Sequence, residues 1–342
     1  GETTLPTSVF FDFDRKQTLF GSTANAALID GREGRFMRAL KSVLGTPLMH
    51  ERRQIGTEKM TLIEVVSRFL STVKQRGEAA TGLTFDHALS GRPVRFHSTD
   101  MDRNVRAEND LRAAYELAGF KGVDFMFEPE AAALTSGPLP KGELGLIIDI
   151  GGGTSDFSLF ERDGKATNIS ASHGVRIGGT DFDRTLSLKH VMPLLGRAGA
   201  IRNEIGPGHT TTPNALYNDL ATWEKIAFLY TPETLRLAQR FRKLAVDAQV
   251  FDRLVDVIEM ETGHDIAFAV EKGKIAANTR DAGIDLGIVE TGLRPPLSNA
   301  DLTDALSRFS DDITQCARDT LAMADVSPDR IARIVFVGGS SL

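Results

Sequence analysis

Apolar residues recur along this chain with two different spacings, and each spacing predicts one type of element. Alternation or a short apolar run predicts strands, among them those at residues 9–14 (VFFDFD), 94–97, 125–127 and 334–337. A repeat of three to four residues predicts amphipathic helices, at residues 57–76, 104–118 and from Ser298 onward. Between residues 189 and 277 the pattern is mainly helical, which indicates an inserted subdomain. Mixed strands and helices predict the α/β class.

Composition narrows the class of protein. The net charge of −6 over 342 residues gives no electrostatic reason to expect a nucleic acid or an anionic membrane as partner. No apolar run approaches the ~20 residues of a membrane span. The single cysteine, Cys316, lies on the apolar face of the helix that begins after Ser298 and is predicted to be core. A chain without a possible intramolecular disulfide suits a reducing cytoplasm.

The most informative stretch is LIIDIGGGTSDFSLF, in which three glycines stand between two strand-like runs. Gly151, Gly152 and Gly153, here called the glycine triplet, remove every Cβ from the turn. Such a backbone is free to adopt positive φ and to lie against an anion. Thr154 adds a hydroxyl donor. Asp149 stands at the end of a buried strand, where a carboxylate needs a partner such as Mg²⁺ or an ordered water.

The loop around the glycine triplet joins strand to strand, because Phe157 and Leu159 alternate with Ser158 after it. A dinucleotide-binding loop needs G-x-G-x-x-G before a helix, and a Walker loop needs G-K-[ST], so neither class fits. From the residues alone two interpretations stay open. One is a phosphate-binding hairpin, and the other is a tight turn without a ligand.

Five stretches along the chain carry a further pattern. They are LPTSVFF from Leu5, FEPEAAAL from Phe127, LIIDIGGGTSDFS from Leu146, IGGTDFDRTL from Ile177 and IVFVGGSS from Ile334. In this order they resemble the nucleotide-binding domain of the seventy-kilodalton heat-shock (DnaK-like) chaperones, within the actin, sugar-kinase and heat-shock ATPase superfamily. A sixth stretch, EKGKIAAN from Glu271, resembles the adenosine-side helix of that family.

The resemblance implies a two-lobed actin-like ATPase fold with ribonuclease H-like lobes. Residues 1–141 would form an incomplete lobe I, and residues 142–342 would form lobe II with a mainly helical subdomain inserted at about 189–290. The resemblance also implies truncation at both ends, because an aspartate-glycine-threonine hairpin should precede LPTSVFF and a further helix should follow Leu342. Short members of the family, which consist of little more than the ATPase domain, look similar.

Carried over residue by residue, the resemblance assigns the phosphate end of a nucleotide site. It implies that Asp149 faces Mg²⁺ and its waters, and that the glycine triplet and Thr154 hold the β- and γ-phosphates. Gly178 and Gly179 are implied to form a further turn against the phosphates.

Two charged residues are implied to take part in the reaction. Lys41, in RALKSVLG, resembles the phosphate-directed lysine of the family, and Glu128 is implied to position the attacking or metal-bound water. The plain alternatives stay open: Lys41 is simply solvated, and Glu128 only begins a helix before Pro129.

At the base end, three residues at helical spacing are implied to contact ribose and adenine: Glu271, Lys274 and Asn278. Gly338, Gly339 and Ser340 are implied to approach the base from the opposite side. Ile275 departs from the family, because it takes the place of an arginine that packs on the adenine face. Apolar contact would have to substitute for that planar cation.

The resemblance therefore predicts a chaperone-type ATPase that binds ATP and ADP, depends on Mg²⁺ when full length, hydrolyses ATP slowly and closes its lobes as the output. The implied partners are the nucleotide, protein clients and a co-chaperone or exchange factor, with no nucleic acid and no membrane. Two alternatives stay open. One is a small-molecule, sugar-type kinase of the same fold, and the other is an actin-like or non-hydrolysing scaffold.

Overall fold

The structure is a computed structural model that describes residues 5–38, 40–55, 58–94, 96, 100–137, 139–163 and 166–340. The chain divides into two compact units. Unit 1 consists of Gly1–Ile147, Phe157–His173 and Thr320–Val335, and unit 2 consists of Ile148–Asp156, Gly174–Asp319 and Phe336–Leu342. The lobes at 1–141 and 142–342, and the subdomain at about 189–290, stay predictions.

Unit 1 begins with an antiparallel sheet of β1 (Ser8–Asp12), β2 (Gln17–Phe20) and β3 (Gly34–Arg38), in the order β2-β1-β3. The strand predicted at 9–14 is confirmed at residues 9–12, whereas residues 13 and 14 lie in a turn. The alternation in VFFDFD is typical of a half-buried strand, but all five residues of β1 are buried. The reason is that β1 is the central strand and is covered on both faces. Phe10 packs against α1 (Ser22–Ile29), whereas Val9 and Phe11 pack in a second cluster with Val65.

A hairpin of β4 (Arg53–Ile55) and β5 (Glu58–Met60) leads into α2 (Leu62–Thr81). Thr61 and Glu64 close a capping box at the start of α2, where the Glu64 N–H donates to Thr61 Oγ1 (3.2 Å) and the Thr61 N–H donates to Glu64 Oε2 (2.6 Å). The backbone hydrogen bond from Thr61 is the main reason that the pKa of Glu64 is lowered.

The next part of unit 1 combines helices with two parallel strands. β6 (His87–Arg92) is followed by α3 (Met101–Leu117), β7 (Gly122–Phe127) pairs in parallel with β6, and α4 (Glu128–Thr135) begins directly after β7. The helix predicted at 104–118 is confirmed. The strand predicted at 94–97 is wrong at Val94 and Phe96, and residues 95 and 97 lie outside the described part. The preceding strand, β6, ends before Pro93, because proline has no N–H to continue the ladder.

The chain then forms β8 (Leu144–Ile150), β9 (Ser155–Asp163) and β10 (Ala166–Val175). The mainly helical pattern predicted after residue 189 is confirmed in unit 2. The helices and strands that follow β10 are α5 (Gly179–Leu186), β11 (Ala200–Arg202), β12 (His209–Thr211), α6 (Asn214–Leu220), α7 (Pro232–Leu244), α8 (Gln249–Glu259), α9 (Gly263–Thr279), β13 (Ala282–Gly283), β14 (Pro296–Leu297) and α10 (Asn299–Met323).

The last described strand, β15 (Ile331–Val337), confirms the strand predicted at 334–337 and joins a four-stranded sheet in the order β10-β9-β8-β15. Each strand of this sheet has residues in both units. In α10, Cys316 is 4% exposed as predicted, and burial raises the pKa of its thiol to about 11. Within the described residues, no helix is long and apolar enough to cross a membrane.

Candidate functional site

The glycine triplet forms the loop between β8 and β9, so the predicted strand-to-strand hairpin is confirmed. The Gly151 N–H closes the loop on the Thr154 carbonyl at 2.9 Å. None of the three glycines uses the positive φ that the sequence suggested. A Cβ at Gly152 or Gly153 would meet no atom within 4 Å. Neither backbone conformation nor internal packing therefore explains glycine at these two positions, and the loop is open to an approaching group.

A second turn packs against the triplet through its carbonyl groups. The Gly179 N–H donates to the Gly151 carbonyl at 3.0 Å, while the N–H and Oγ1 of Thr180 donate to the Gly152 carbonyl at 2.7 and 2.8 Å. A Cβ at Gly178 would lie 2.6 Å from the Gly153 nitrogen, so this close approach requires glycine. The carbonyls of Gly151 and Gly152 are thus used within the protein, whereas no described residue accepts a hydrogen bond from the N–H of Gly152 or Gly153.

A third turn, which follows β15, joins the same place. Gly338 has a φ of 87°, and a Cβ there would lie 2.4 Å from Asp149 Oδ1. The Ser340 N–H donates to the Ile150 carbonyl at 3.1 Å. Gly339 is open, since its Cβ would meet nothing within 4 Å. The sequence assigned residues 338–340 to the base end, and the structure joins them to the end of β8. We call these three turns, at residues 151–154, 178–180 and 338–340, together with the end of β8 the turn junction.

Two side chains at the turn junction, those of Asp149 and Thr154, have oxygen atoms that the resemblance assigned to a ligand. Asp149 is partly buried near the end of β8 and lies against Gly338. The hydroxyl of Thr154 donates to Asp156 Oδ2 at 3.0 Å, so the donor that the sequence offered to a ligand is bound within the protein. Its role toward a phosphate stays a prediction. The sequence missed Thr180, whose only signal was its position after two glycines at a helix start.

Unit 1 brings together the two charged residues that the sequence named separately. Lys41 lies in a short 3-10 helix (Leu40–Val43), and Glu128 is the first residue of α4. Lys41 Nζ lies 2.8 Å from Glu128 Oε1 and 2.7 Å from Oε2, although the residues are 87 positions apart. The segment after Lys41 is anchored, because the buried Gly45 donates its N–H to Asp110 Oδ2 at 2.8 Å.

The predicted base-end residues occupy α9, which confirms that they share a helix. Glu271 is half-buried and Asn278 is exposed. Ile275 is 62% exposed. Lys274 is different, because its side chain is only 13% exposed and its Nζ lies 2.8 Å from Asp183 Oδ1.

Comparison with known proteins assigns the family. The family described as Hsp70 protein matches this chain over residues 5–201, which is more than half of its length. This chain belongs to the Hsp70 family. The matched region contains Lys41, Glu128, the glycine triplet and the second turn, but neither α9 nor the third turn. Hsp70 membership and the mixed α/β structure fit the actin-like ATPase fold.

Several Hsp70 relatives are similar to part of this chain. A chaperone protein DnaK of Endomicrobium trichonymphae is 30% identical over 190 residues, which are 54% of this chain and 29% of the relative. A DnaK of Akkermansia muciniphila is 34% identical over 139 residues, or 40% of this chain and 21% of the relative. A chaperone protein HscA homolog of Pseudoalteromonas atlantica is 33% identical over 146 residues, or 42% and 22%. The chain spans less than a third of the length of each relative.

The Hsp70 family implies bound Mg²⁺, and the oxygen-bearing side chains of this chain can be compared with what that ion needs. Among the described residues, no three histidine, cysteine, aspartate or glutamate side chains cluster as a metal site. Mg²⁺ does not need such a cluster, because it keeps several waters and is often bound by one or two carboxylates plus substrate phosphates. Asp149 beside an open loop fits that chemistry.

Proposed function

We propose that this chain binds ATP and ADP with Mg²⁺ and hydrolyses ATP slowly, as a chaperone-type ATPase whose output is lobe closure. One observation carries the proposal: within the described part of the chain the N–H groups of Gly152 and Gly153 have no acceptor, and both glycines are exposed with no atom within 4 Å of an added Cβ. Neighbouring amide donors of this kind form a nest for an anion, and a polyphosphate is such an anion. Similarity to the chaperones DnaK and HscA supports the same activity.

In this proposal the glycine triplet and Thr154 hold the β- and γ-phosphates. Gly178 and Gly179 form a further turn that packs against the triplet. The carbonyls of Gly151 and Gly152 are already bonded to the second turn, so the ligand would accept from the N–H groups of Gly152 and Gly153. Asp149 would hold Mg²⁺, whose chemistry suits a carboxylate together with phosphate oxygens and water. When bound, Mg²⁺ would neutralise charge on the phosphates.

Lys41 and Glu128 would act on the transferring phosphate. Because Lys41 Nζ touches both carboxylate oxygens of Glu128, an arriving phosphate competes with Glu128 for the same ammonium group. Lys41 would then neutralise charge on the phosphate, as a preorganised cation does in phosphoryl transfer. The released Glu128 carboxylate would accept a hydrogen bond from the attacking water and orient it.

The base end would use the α9 residues Glu271, Lys274 and Asn278, with residues 338–340 on the opposite side. Ile275 supports this placement, because a 62% exposed isoleucine on a helix offers an apolar surface to a flat base. An apolar contact lacks the attraction of a guanidinium over the ring. We therefore expect weak discrimination between adenine and guanine nucleotides, which competition titrations with GDP would measure.

Calorimetric titration of the full-length protein with ADP tests the proposal. The expected result is one site whose affinity falls when EDTA removes Mg²⁺, together with slow release of phosphate from ATP. A full-length protein that binds neither ADP nor ATP would contradict the proposal. Stimulation of ATP consumption by a polyol or acid would indicate the kinase alternative, and nucleotide-dependent sedimentation would indicate a filament.

We also propose a cytoplasmic location, with protein clients and an exchange factor as partners. The buried thiol of Cys316 supports a reducing compartment, because no described cysteine is in a disulfide. Cell fractionation tests the location, and a full-length protein found only in an oxidising compartment would refute it. Capture of clients that ATP releases tests the partners, and clients that stay bound in ATP would contradict that assignment.

A further inference from the structure

The ion pair between Lys274 and Asp183 is the most enclosed contact at the base end. Lys274 Nζ lies 2.8 Å from Asp183 Oδ1, with side-chain exposures of 13% for the lysine and 21% for the aspartate. The same ammonium lies 5.9 Å from the centre of the Phe182 ring. Lysine is almost never this enclosed without a partner for its charge. Both neighbours of the lysine come from α5, so the pair joins α9 to α5.

The other end of α5 is part of the turn junction. Its first residues, Gly179 and Thr180, donate their N–H groups to the triplet carbonyls. The Gly178 N–H in turn donates to Asp181 Oδ2 at 3.0 Å, which fixes the first turn of the helix. Asp183 lies only three residues after Thr180. A short path therefore leads from the glycine triplet to Lys274, through backbone hydrogen bonds to the start of α5 and through the ion pair of Asp183.

We propose that Asp183 is a positioning residue for the nucleotide, which holds Lys274 and thereby α9 in register with the phosphate-binding turns. This proposal rests on the proposed function and assigns Lys274 an indirect role, because its ammonium is occupied by Asp183 and Phe182. A lysine that served as a direct ligand would gain freedom if Asp183 lost its charge. A lysine that positions α9 would lose its anchor by the same change. The two roles therefore predict opposite effects of one substitution.

ADP titration of the full-length protein distinguishes the two roles with three variants, Asp183→Asn, Lys274→Met and the double variant. Each single substitution is expected to weaken ADP binding about tenfold, and the double variant to be no weaker than either single one, since residues that act as a pair are non-additive. KM for ATP should rise in parallel, while kcat stays within about threefold, since only binding geometry changes. Asp183→Glu, which keeps the carboxylate, should restore most of the affinity.

A matched control is the ion pair of Lys189 and Asp304, which is also in unit 2 and is more exposed than the pair of Lys274 and Asp183. Lys189 Nζ lies 2.6 Å from Asp304 Oδ2. Asp304→Asn should leave ADP affinity unchanged. If Asp183→Asn is too unstable to titrate, the charge-swapped pair Asp183→Lys with Lys274→Asp decides: restored binding supports the pair, and a folded swap without binding overturns it.

The result that overturns the inference is wild-type or tighter ADP binding by a folded Asp183→Asn variant. That outcome leaves the proposed function intact, because the wild-type protein still binds ADP. A wild-type protein without ADP affinity instead overturns the proposed function and this inference with it.

Discussion

The turn junction of unit 2 and the Lys41–Glu128 pair of unit 1 are built in opposite ways. In the turn junction, main-chain hydrogen bonds join three turns, and a Cβ at Gly178 would lie 2.6 Å from the Gly153 nitrogen. The pair consists of two long side chains from segments 87 residues apart, and the Lys41 side chain is 54% exposed. The turns cannot move without breaking backbone contacts, whereas the charged side chains can rotate to new partners.

This difference suits two separate tasks. A fixed array of amide groups recognises a group of constant shape, such as a polyphosphate, without reorganisation. A pair of movable charges suits a step in which charge shifts between atoms. Substitutions in the pair should therefore change the rate of hydrolysis, and substitutions in the turn junction should change stability or affinity.

The largest expected effect is on the pair. Lys41→Met should lower kcat for ATP hydrolysis by about 10²–10³-fold, as the loss of one preorganised charge-stabilising group does. ADP affinity should change little. Phosphate release under single-turnover conditions measures the rate, and Glu128→Gln should give a loss of similar kind.

Lys121→Met is the control for Lys41→Met, because Lys121 is also an exposed unit 1 lysine in an ion pair, 2.6 Å from Asp86. It should hydrolyse ATP at the wild-type rate. If Lys41→Met also keeps the wild-type rate, the pair has no catalytic task and the contrast between the two regions fails.

The next effect is on stability. Gly178→Ala should destabilise the protein by about 3 kcal/mol, because the added methyl group collides with the backbone of the glycine triplet. The φ of Gly178 is −158°, so the loss comes from crowding and not from the backbone angle of the new alanine. Urea denaturation followed by circular dichroism measures the change. An unchanged midpoint would mean that the two turns do not pack as described.

Local features of this chain could be predicted from its sequence. The strand runs on both sides of the glycine triplet identified a strand-to-strand loop, and the apolar face of α10 placed Cys316 in the core. Both depend on residues close together in the chain, where periodicity is a direct signal. The strand expected at 94–97 is wrong at Val94 and Phe96 for an equally local reason, since the strand ends before Pro93, which has no N–H for a ladder.

Contacts between distant segments could not be predicted in this way. Lys41 and Glu128 were named only by resemblance, and nothing in the sequence says that they touch. The reason for each glycine was also hidden. The triplet was interpreted as free to adopt positive φ, but the structure uses positive φ at Gly338 and requires glycine at Gly178, which is crowded by backbone. The sequence alone does not distinguish a glycine that leaves space for a ligand from a glycine that packs against another part of the backbone.

Gly152→Ala is the counterpart of Gly178→Ala and separates ligand space from packing space. Its Cβ meets no protein atom within 4 Å, so the free energy of unfolding should stay within about 0.5 kcal/mol of wild type. ATP affinity should nevertheless fall about tenfold, equivalent to about 1.4 kcal/mol, because the methyl group occupies the space proposed for phosphate. Denaturation and calorimetry on one preparation measure both quantities. Wild-type affinity in this variant would argue that the triplet is only a turn.

The smallest effect is expected for a substitution of Ser155, whose hydroxyl is bonded to the residue before the second turn. Ser155 is fully buried, and its Oγ donates to the Ile177 carbonyl at 2.8 Å, directly before Gly178. Ser155→Ala should destabilise the protein by about 1 kcal/mol, the usual loss for one buried hydrogen bond. ATP affinity should weaken by no more than about threefold, because the backbone bonds of the second turn remain.

Ser158→Ala separates support of the turn junction from general sheet stability. Ser158 is also buried, and its Oγ lies 3.0 Å from Ser172 Oγ on the neighbouring strand. A similar loss of stability is expected there, but ATP affinity should be unchanged, since this hydroxyl contacts no residue of the three turns. Equal losses of ATP affinity in both variants would mean that nucleotide binding depends on the stability of the whole sheet. The turn junction would then not be a separate, rigid binding site, and its contrast with the movable Lys41–Glu128 pair would be lost.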